Sequence, residues 1–166
     1  MAAIYIRKAV NDDLDKTCAI ISQAKQLLKA DGSPQWQDGH PNSRMIQDDI
    51  SSHVMWVLIV DGQIVGNAAL ILSPEPTYAR IEGGEWVDTS NDYYTIRRIA
   101  LSSQFRGRRL TDFFMSDLIS MGIRAGVFNF RLDTHQLNKR AQHIAKKNGF
   151  VRRGIIHVQD AIDGRR

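Results

Sequence analysis

One stretch of the chain, residues 94–118, contains a strand pattern, a basic turn and a helical pattern in direct succession. Residues 95–101 are rich in β-branched and apolar side chains, which favour a strand. Residues 104–109 form a turn with one glycine and three arginines. After this turn the apolar residues follow helical spacing, at Leu110, Phe113, Phe114, Leu118 and Met121. The order predicts a strand that leads through a short loop into an amphipathic helix.

The turn at residues 104–109 has the properties of an anion-binding loop. Backbone N–H groups converge at a helix N-terminus, and the helix dipole favours negative charge there. Gly107 lets a ligand approach the backbone because glycine has no Cβ, and arginines bind phosphate oxygens in fork geometry. These residues indicate a pyrophosphate-binding loop. A basic surface turn before an ordinary core helix is the alternative that they leave open.

Residues 104–109 also resemble the acyl-CoA-binding motif of the GNAT superfamily of N-acyltransferases. That motif has Gln or Arg, two further residues, Gly, one residue and then Gly or Ala, and it lies between a strand and a helix. Gln104, Gly107, the strand before them and the helix after them match this pattern. Arg109 departs from it, because it stands where the family has a small residue.

The resemblance extends over nearly the whole chain. The later segments RLDTHQLN and NGFVRRGII resemble a bacterial subgroup of the same superfamily, with the pair Gly149-Phe150 in the expected order. The subgroup also has a Gln-Trp pair in its first long loop, as in Gln35 and Trp36 here. The resemblance therefore implies a single N-acetyltransferase domain across residues 1–166.

The order of strand and helix patterns predicts an α/β (α+β) fold with a mixed sheet. Strands are expected at residues 4–9, 54–60, 63–72, 95–101, 127–133 and 150–158, and helices from residues 11–13 to about 30, at 43–51, from 110 and at 137–148. Residues 75–92 are expected to form an irregular surface loop, and residues 160–166 a frayed tail. The resemblance implies a GNAT-like, mostly antiparallel central sheet flanked by helices, with a splayed strand pair that holds the cofactor.

The net charge of +4 is unevenly distributed along the chain. Residues 1–102 contain 9 Lys and Arg against 13 Asp and Glu, a net charge of −4, whereas residues 103–166 contain 13 against 5, a net charge of +8. The basic half includes the proposed loop and suits a polyphosphate ligand such as coenzyme A. A nucleic-acid partner is disfavoured, because no helix-turn-helix, zinc-finger or RNA-binding aromatic motif accompanies the charge.

The composition disfavours several further classes of protein. Cys18 is the single cysteine, so no internal disulfide is expected. No run of about 18 apolar residues and no signal-peptide pattern occur, which predicts a cytoplasmic protein without a membrane partner. The histidines at positions 40, 53, 143 and 157 do not have metal-ligand spacing, so no metal is expected.

The resemblance implies that acetyl-CoA is the co-substrate. In the family the central strand separates from the next strand, and its free backbone groups pair with the pantetheine arm of the cofactor. Here those groups belong to Ile99, Ala100 and Leu101, and one backbone N–H among them would face the thioester carbonyl. The pyrophosphate would bind to the loop of Gln104, Phe105, Arg106, Gly107, Arg108, Arg109 and Leu110. Asn138 matches an Asn that commonly contacts the cofactor.

Proton transfer is where the sequence departs from the family. Many members have a tyrosine four residues before the Gly-Phe pair, which protonates the leaving thiolate. Here that position is Ala145, so another group must serve or the thiolate must leave unaided. The unperturbed pKa of the histidine side chain suits removal of a proton near pH 7, which makes His135 the candidate base, and Asp133 is close enough in sequence to orient it. A hydrogen-bonded structural histidine is the alternative for His135.

The acceptor is expected to be a primary amine of a small molecule, a protein or a peptide. Trp36 either lines the acceptor pocket or fills a gap under its loop. Glu82 and Glu85 either hold the cationic amine or are solvated surface charges. The function implied by the resemblance is N-acetyl transfer by direct attack of the amine on the thioester. A non-catalytic domain that senses acyl-CoA is the alternative function, and a homodimer is left open.

Overall fold

The helices and strands follow the predicted order along most of the chain. The structure, a computed structural model, describes residues 3–72, 74–159 and 161–166. Its elements are β1 (Ile4–Lys8), α1 (Leu14–Ala30), α2 (Ser43–Ser51), β2 (Met55–Val60), β3 (Gln63–Leu72), β4 (Tyr94–Leu101), α3 (Leu110–Arg124), β5 (Phe130–Arg131) and α4 (Lys139–Lys147). The observed bounds of α2 and β3 coincide with the predicted ones.

The sheet has the strand order β1-β2-β3-β4-β5. Its first four strands are antiparallel neighbours, and β5 pairs with β4 in parallel. The hairpin between β2 and β3 turns at Asp61 and Gly62, whose φ angles of 48° and 78° are those that a two-residue hairpin turn requires. The prediction of a mixed, mostly antiparallel sheet is confirmed.

Side chains of the sheet alternate between two hydrophobic cores, one on each face. On one face the sheet packs against helices α1 and α2, through Ile20, Ile21, Ile46, Ile50, Met55, Val57 and Ile59. On the other face it packs against α3, through Leu58, Val65, Ala68, Ile96, Leu110, Phe114, Met115 and Leu118. Burial of one such side chain stabilises the fold by about 1.5–3 kcal/mol. The two cores together hold β4 in the middle of the molecule.

Strands β4 and β5 are joined by only two residue pairs, Tyr94 with Phe130 and Thr95 with Arg131. Beyond these pairs the strands separate. The edge of β4 that faces away from β3 therefore has no strand partner among the described residues as far as Leu101. This separation is the splayed pair that the resemblance implied.

A β-bulge interrupts β4 next to this open edge. Arg98 and Ile99 together face the single residue Ala68 of β3, and Arg98 has a φ angle of 53°. The side-chain amide of Asn67 donates a hydrogen bond of 2.8 Å to the Arg98 carbonyl, which stabilises this conformation. The bulge changes the direction of the backbone groups of β4 at the place where the strand loses its neighbour.

Two strands predicted near the end of the chain differ from the structure: one is much shorter and the other is absent. Residues 127–133 form a strand only at β5, because the separation from β4 removes the partner for the others. Residues 150–158 form no strand, and their backbone makes only two isolated bridges, Ile155 with Glu82 and His157 with Arg165. A β-prone sequence forms a strand only where a neighbouring segment pairs with it. In this segment only Ile155 and His157 have such a partner among the described residues.

The segment 75–92 is more than a surface loop. It contains a short 3-10 helix, Pro76–Ala79, with the buried side chain of Tyr78. Tyr78 packs with Tyr93 and Ile156 in a small third core. This core fixes the loop against residues 155–158 and brings Tyr78 next to the end of β5.

Residues 161–166, hereafter the strap, are not a frayed tail; Asp160 lies outside the described residues. Arg166 and Ile156 exchange two backbone hydrogen bonds of 2.9 Å, and Val158 N–H donates one of 2.7 Å to the carbonyl of Gly164. A Cβ at Gly164 would lie 2.0 Å from the Val158 carbonyl oxygen, so only glycine permits this approach. The strap is therefore docked through its backbone.

Candidate active site

A cavity of about 720 Å³ lies along the unpaired edge of β4. Residues 96–101 of β4 form one wall, and side chains of α1 and α4 form the others. It extends from Gly107, in the loop after β4, to Asp133, which follows β5. Because this space opens where the sheet separates, it offers a ligand both side chains and free backbone groups.

The loop between β4 and α3 has many unused donors. A short 3-10 helix, Ser103–Phe105, precedes Gly107, whose φ angle is 77°. Outside the helices and strands, none of the backbone hydrogen bonds between described residues is donated by an N–H of residues 107–109. A Cβ at Gly107 would meet no atom within 4 Å, so the backbone is open to a ligand there. These features fit a phosphate group at the N-terminus of α3.

Arg109 has the backbone conformation expected of the small residue that it replaces in the family motif. Its φ angle of 59° lies in the left-handed region immediately before α3. The side chain is 82% exposed, with its Nε 3.8 Å from Asp112 Oδ2, and it does not line the cavity. The departure from the motif therefore leaves the cavity free, at a backbone cost of about 1–2 kcal/mol.

Arg106 presents an unpaired donor at the cavity wall. Its Nη2 atom is buried and has no hydrogen-bond partner among the described residues. Burial, together with the charge of Arg140, lowers the pKa of Arg106. Arg140 itself donates a 2.7 Å hydrogen bond to Asp31, and both of these residues also line the cavity. A phosphate oxygen would satisfy the Arg106 group, so this end of the cavity fits the phosphates of acetyl-CoA.

The predicted cofactor residues fall into two groups. The cavity is lined by Ile99, Ala100, Leu101, Arg106, Gly107 and Asn138, and not by Gln104, Phe105, Arg108, Arg109 or Leu110. The guanidinium of Arg108 stacks over the Phe105 ring at 4.9 Å, and Leu110 is buried in the core below α3. Backbone groups are therefore the means by which these three residues can contact a ligand.

Gln35 is a buried residue of this region that the sequence indicated only through the Gln-Trp resemblance. Its Oε1 accepts hydrogen bonds from the Thr134 hydroxyl at 3.2 Å, the His135 N–H at 3.3 Å and Asn138 Nδ2 at 2.9 Å. The other amide atom of Asn138 caps α4, because its Oδ1 accepts from the Ala141 N–H at 3.1 Å. Gln35 thus fixes the loop after α1 to the beginning of α4, and both segments line the cavity.

His135 does not line the cavity, contrary to expectation. Its side chain is 0% exposed, its Nδ1 accepts a 3.1 Å hydrogen bond from the Leu137 N–H, and its Nε2 lies 2.7 Å from Asp163 Oδ2. Because Nδ1 is an acceptor, the ring proton is assigned to Nε2, which donates to Asp163. With both nitrogens occupied, the geometry supports the structural alternative rather than a base that removes the acceptor's proton.

Asp133 lines the cavity and makes no hydrogen bond with His135, although it was expected to orient that ring. Its Oδ1 accepts a 2.7 Å hydrogen bond from the hydroxyl of Tyr78, which is 2% exposed. Burial, and then the charge of Asp133, raises the pKa of Tyr78 well above its ordinary value, so Tyr78 stays a neutral donor. The second oxygen of Asp133 has no hydrogen-bond partner among the described residues and remains available to a ligand.

The expected acceptor residues have different outcomes. Trp36 lines the cavity and also packs against the core under α1, a position that is compatible with both interpretations. Glu82 and Glu85 are exposed and do not line the cavity. The Glu82 carboxylate lies 3.2 Å from His157 and 3.4 Å from Arg80, because the bridge with residue 155 turns it away from β4. These two glutamates are therefore placed as surface charges.

Position 145, where many family members have tyrosine, places an alanine at the cavity wall. Within residues 3–72, 74–159 and 161–166, no group of three or more His, Cys, Asp and Glu side chains has an arrangement that would hold a metal ion. In the same part of the chain, none of the helices combines the length and apolar character needed to cross a membrane.

Comparison with known proteins agrees with this geometry. Residues 21–150 match the sequence model of the acetyltransferase (GNAT) family. No curated protein sequence matches the chain significantly. The structure is similar to that of an acetyltransferase of the GNAT family from Streptococcus agalactiae, with 37% sequence identity and a TM-score of 0.87, over 95% of this chain and 90% of that one.

Two further solved structures share the fold. The first is a GNAT-family acetyltransferase from Listeria monocytogenes, with 22% identity and a TM-score of 0.74, over 91% of this chain and 88% of that one. The second is a predicted acetyltransferase with acetyl-CoA from Clostridium acetobutylicum, with 19% identity and a TM-score of 0.58, over 90% and 91%. The chain therefore belongs to the acetyltransferase (GNAT) family. It is an acetyl-CoA-dependent acetyltransferase.

Proposed function

We propose that the protein transfers an acetyl group from acetyl-CoA to a primary amine, by direct attack of the amine on the thioester. The observation that carries this proposal is a single cavity that connects the loop at Gly107, the unpaired edge of β4 and Asp133. The loop suits phosphates, the strand edge suits the amides of the pantetheine arm, and the carboxylate suits an ammonium group. The complex of the Clostridium acetobutylicum relative with acetyl-CoA supports the choice of cofactor.

In the proposed reaction a C–N bond forms and the C–S bond breaks. The amine nitrogen, freed of the ammonium proton, attacks the thioester carbonyl carbon, and coenzyme A leaves as a thiolate. The second proton, which the nitrogen loses as it becomes an amide, passes to that thiolate through water. A backbone N–H of residues 99–101, next to the bulge at Arg98, is the proposed donor to the carbonyl oxygen as negative charge develops on it. Because residue 145 is an alanine and a thiol has a modest pKa, we propose that the thiolate leaves without a tyrosine acid.

Asp133 is the group that we propose to bind the acceptor ammonium and to take its proton, directly or through a water. It lies in the cavity with one oxygen held by Tyr78 and the other without a partner among the described residues, whereas His135 is buried with both nitrogens occupied. The assignment replaces the base expected from the sequence and keeps Asp133 as a catalytic residue. Trp36 is the proposed apolar wall for the acceptor.

The first test of this function is the variant Asp133→Asn. The amide cannot accept the proton and does not attract the ammonium, so kcat/KM for an amine acceptor should fall by about 10²- to 10⁴-fold. Release of free thiol from acetyl-CoA measures this rate, and calorimetry should show unchanged affinity for acetyl-CoA. Asp92→Asn, at an exposed position outside the cavity, is the control. An Asp133→Asn enzyme with normal kcat/KM would remove Asp133 from the mechanism.

The cofactor loop is tested separately with Gly107→Glu. A side chain at this position lies in the path of a phosphate and adds a like charge, and the positive φ angle disfavours any residue with a Cβ. We expect a fold that is intact by circular dichroism and a loss of acetyl-CoA binding by calorimetry. Unchanged affinity in the folded variant would place the pyrophosphate elsewhere.

The alanine at position 145 suggests a non-catalytic domain that senses acyl-CoA as the alternative, and membership of the acetyltransferase family argues against it. Turnover of acetyl-CoA with a panel of amines and peptides separates the two functions, because a sensor binds acetyl-CoA without releasing thiol. A cytoplasmic location and a homodimer remain predictions of the same proposal.

A further inference from the structure

The cavity contains five arginines with unequal partners. Arg97 forms an ion pair with Glu75, Arg98 lies 3.0 Å from Asp49, and Arg140 lies 2.7 Å from Asp31. The other two, Arg106 and Arg166, form no ion pair within 4.0 Å with any described residue. Arg106 belongs to the loop that suits the phosphates of acetyl-CoA, so Arg166 is the cavity arginine whose charge the cofactor does not explain.

Arg166 is held in the cavity by the strap. Its backbone exchanges two hydrogen bonds with Ile156, and its Nη1 donates to the carbonyl oxygens of Asp163 and, at 3.3 Å, of Arg165. The hydrogen bond from the buried ring of His135 to Asp163 fixes the strap to the segment that follows β5. The guanidinium is thus bonded to the carbonyls of Asp163 and Arg165, while its Nε and Nη2 make no hydrogen bond with the described part of the chain.

The acid groups near Arg166 include the proposed ammonium site. Asp133, Asp163 and Asp38 act on its charge in that order of strength, and burial outweighs them, which lowers the pKa of Arg166. Asp133 and Asp38 line the same cavity as Arg166, whereas Asp163 is bonded to His135. The same cavity is therefore lined by a carboxylate and a guanidinium that form no ion pair with each other, both with unused hydrogen-bonding atoms.

We infer that the acceptor is a zwitterion, in which Asp133 binds the ammonium group that becomes acetylated and Arg166 binds an acid group on the same molecule. The inference rests on the proposed function, because it assumes that the ammonium group bound by Asp133 loses a proton and becomes the attacking amine. An amino acid or a peptide with its amine close to a carboxylate has this chemistry. Arg166 is then the residue that determines acceptor specificity.

Charge complementarity separates this class from the other amines. A diamine or polyamine would bring its second cation against Arg166, where like charges repel. A monoamine without an acid group, such as an aromatic ethylamine, would leave the half-buried guanidinium without an anion. A carboxylate is a planar acceptor that matches the free edge of a guanidinium, and such bonds are about twice as strong as those between neutral groups.

The test compares amino acids with the amines that lack only the carboxylate, such as lysine with cadaverine and phenylalanine with phenethylamine. Peptides and their C-terminal amides extend the comparison. Thiol release gives kcat/KM for each member. We expect a preference for the acid-bearing member on the order of 10- to 100-fold, and its loss in Arg166→Gln. Arg165→Gln, a neighbouring strap arginine that does not line the cavity, should keep the preference.

A binding measurement separates failure of this inference from failure of the proposed function. N-acetylated amino acids and their decarboxylated counterparts are titrated into the enzyme with coenzyme A, in the wild type and in Arg166→Gln. If the acid-bearing ligands bind more tightly and this preference depends on Arg166, the inference is supported even without turnover. Absence of turnover would count only against the proposed acetyl transfer. Equal binding of both members, or faster turnover of the decarboxylated amines, overturns it. Circular dichroism and acetyl-CoA affinity confirm that the variant is folded.

Discussion

Arg109 is a residue whose side chain and backbone have different consequences. The side chain lies in solvent, but the left-handed backbone conformation costs an L-amino acid about 1–2 kcal/mol. Glycine adopts this conformation without strain, although it loses more freedom on folding. The motif position is therefore occupied by a residue that the fold tolerates rather than prefers.

Arg109→Gly should consequently raise the free energy of unfolding by about 0.5–1 kcal/mol, measured by urea denaturation. The matched control is Arg108→Gly, because Arg108 has no positive φ angle and stacks on Phe105. We expect this control to be less stable than the wild type. A loss of stability in Arg109→Gly would show that the arginine contributes interactions that outweigh the strain.

A second prediction at the scale of single residues concerns Gln35, because one oxygen atom of its side chain accepts three hydrogen bonds. Gln35→Ala leaves the Thr134 hydroxyl, the His135 N–H and the Asn138 amide without this acceptor, in a region where water is largely excluded. We expect a loss of about 2 kcal/mol or more in the free energy of unfolding, together with weaker acetyl-CoA binding.

The control for Gln35→Ala is Gln37→Ala. Gln37 lies in the same loop but only donates, to the carbonyls of Lys25 and of residue 35. We expect it to cost about 1 kcal/mol and to leave acetyl-CoA affinity unchanged. Equal effects of the two variants on cofactor affinity would contradict a special role for the Gln35 oxygen.

At the scale of elements, the strap is docked through its backbone and by one side-chain hydrogen bond to the rest of the described chain, from buried His135 to Asp163. Asp163→Ala removes this contact and should loosen the strap around Arg166. Because the cofactor loop lies after β4, we expect a higher KM for the acceptor, a smaller change in kcat and unchanged acetyl-CoA affinity. Asp163→Asn keeps an acceptor for the His135 N–H and should restore the KM. A kcat effect alone would instead indicate direct catalysis.

The first strand and the first helix are joined by an ion pair that predicts a pH effect. Arg7 of β1 donates two hydrogen bonds, of 2.6 and 3.0 Å, to Asp13, which precedes α1 and also accepts from the Val10 N–H. The bond from Arg7 is the main cause that lowers the pKa of Asp13. The pair therefore stabilises the folded state above the ordinary carboxylate pKa of about 4, and this contribution is lost as the pH falls through the lower folded value.

Asp13→Asn should accordingly be less stable than the wild type at pH 7, and the difference should shrink as the pH falls below about 4. Unfolding curves recorded across this range test the expectation. The exposed neighbour Asp12 supplies the control variant Asp12→Asn. A difference that stays constant with pH would show that the Asp13 charge is not responsible.

At the scale of the whole molecule, the structural features that the sequence predicted correctly are those determined by residues close together in the chain. The turn at Asp61 and Gly62, the bounds of α2 and the succession of β4, loop and α3 follow from local spacing and turn chemistry, and the structure confirms them. Of the predicted cofactor residues that line the cavity, Arg106 and Gly107 came from the turn chemistry of that local unit. The family resemblance supplied the others, Ile99, Ala100, Leu101 and Asn138.

The sequence could not reveal contacts between distant segments. Gln35 meets Asn138 across 103 positions, and Tyr78 meets Asp133 across 55. No spacing rule connects such pairs, because only the assembled sheet brings them together. The burial of His135 has the same origin: its pKa range suggested a base, whereas its surroundings depend on the strap. Residues 150–158 also form no strand, although their sequence is β-prone, because most of them lack a pairing partner within the described part of the chain.

The two-pair junction between β4 and β5 has a consequence for amide hydrogen exchange. The backbone groups of Ile99 and Leu101 lie beyond the last residues of β4 that pair with β5, so those that face the gap have no strand partner among the described residues and are open to solvent. An acyl-CoA whose pantetheine amides occupy this gap would act as a missing strand. We expect exchange at these two positions to slow markedly when acetyl-CoA is added, while the amides that face β3 change little. Equal exchange in the free and bound protein would mean that the sheet remains open when the cofactor binds.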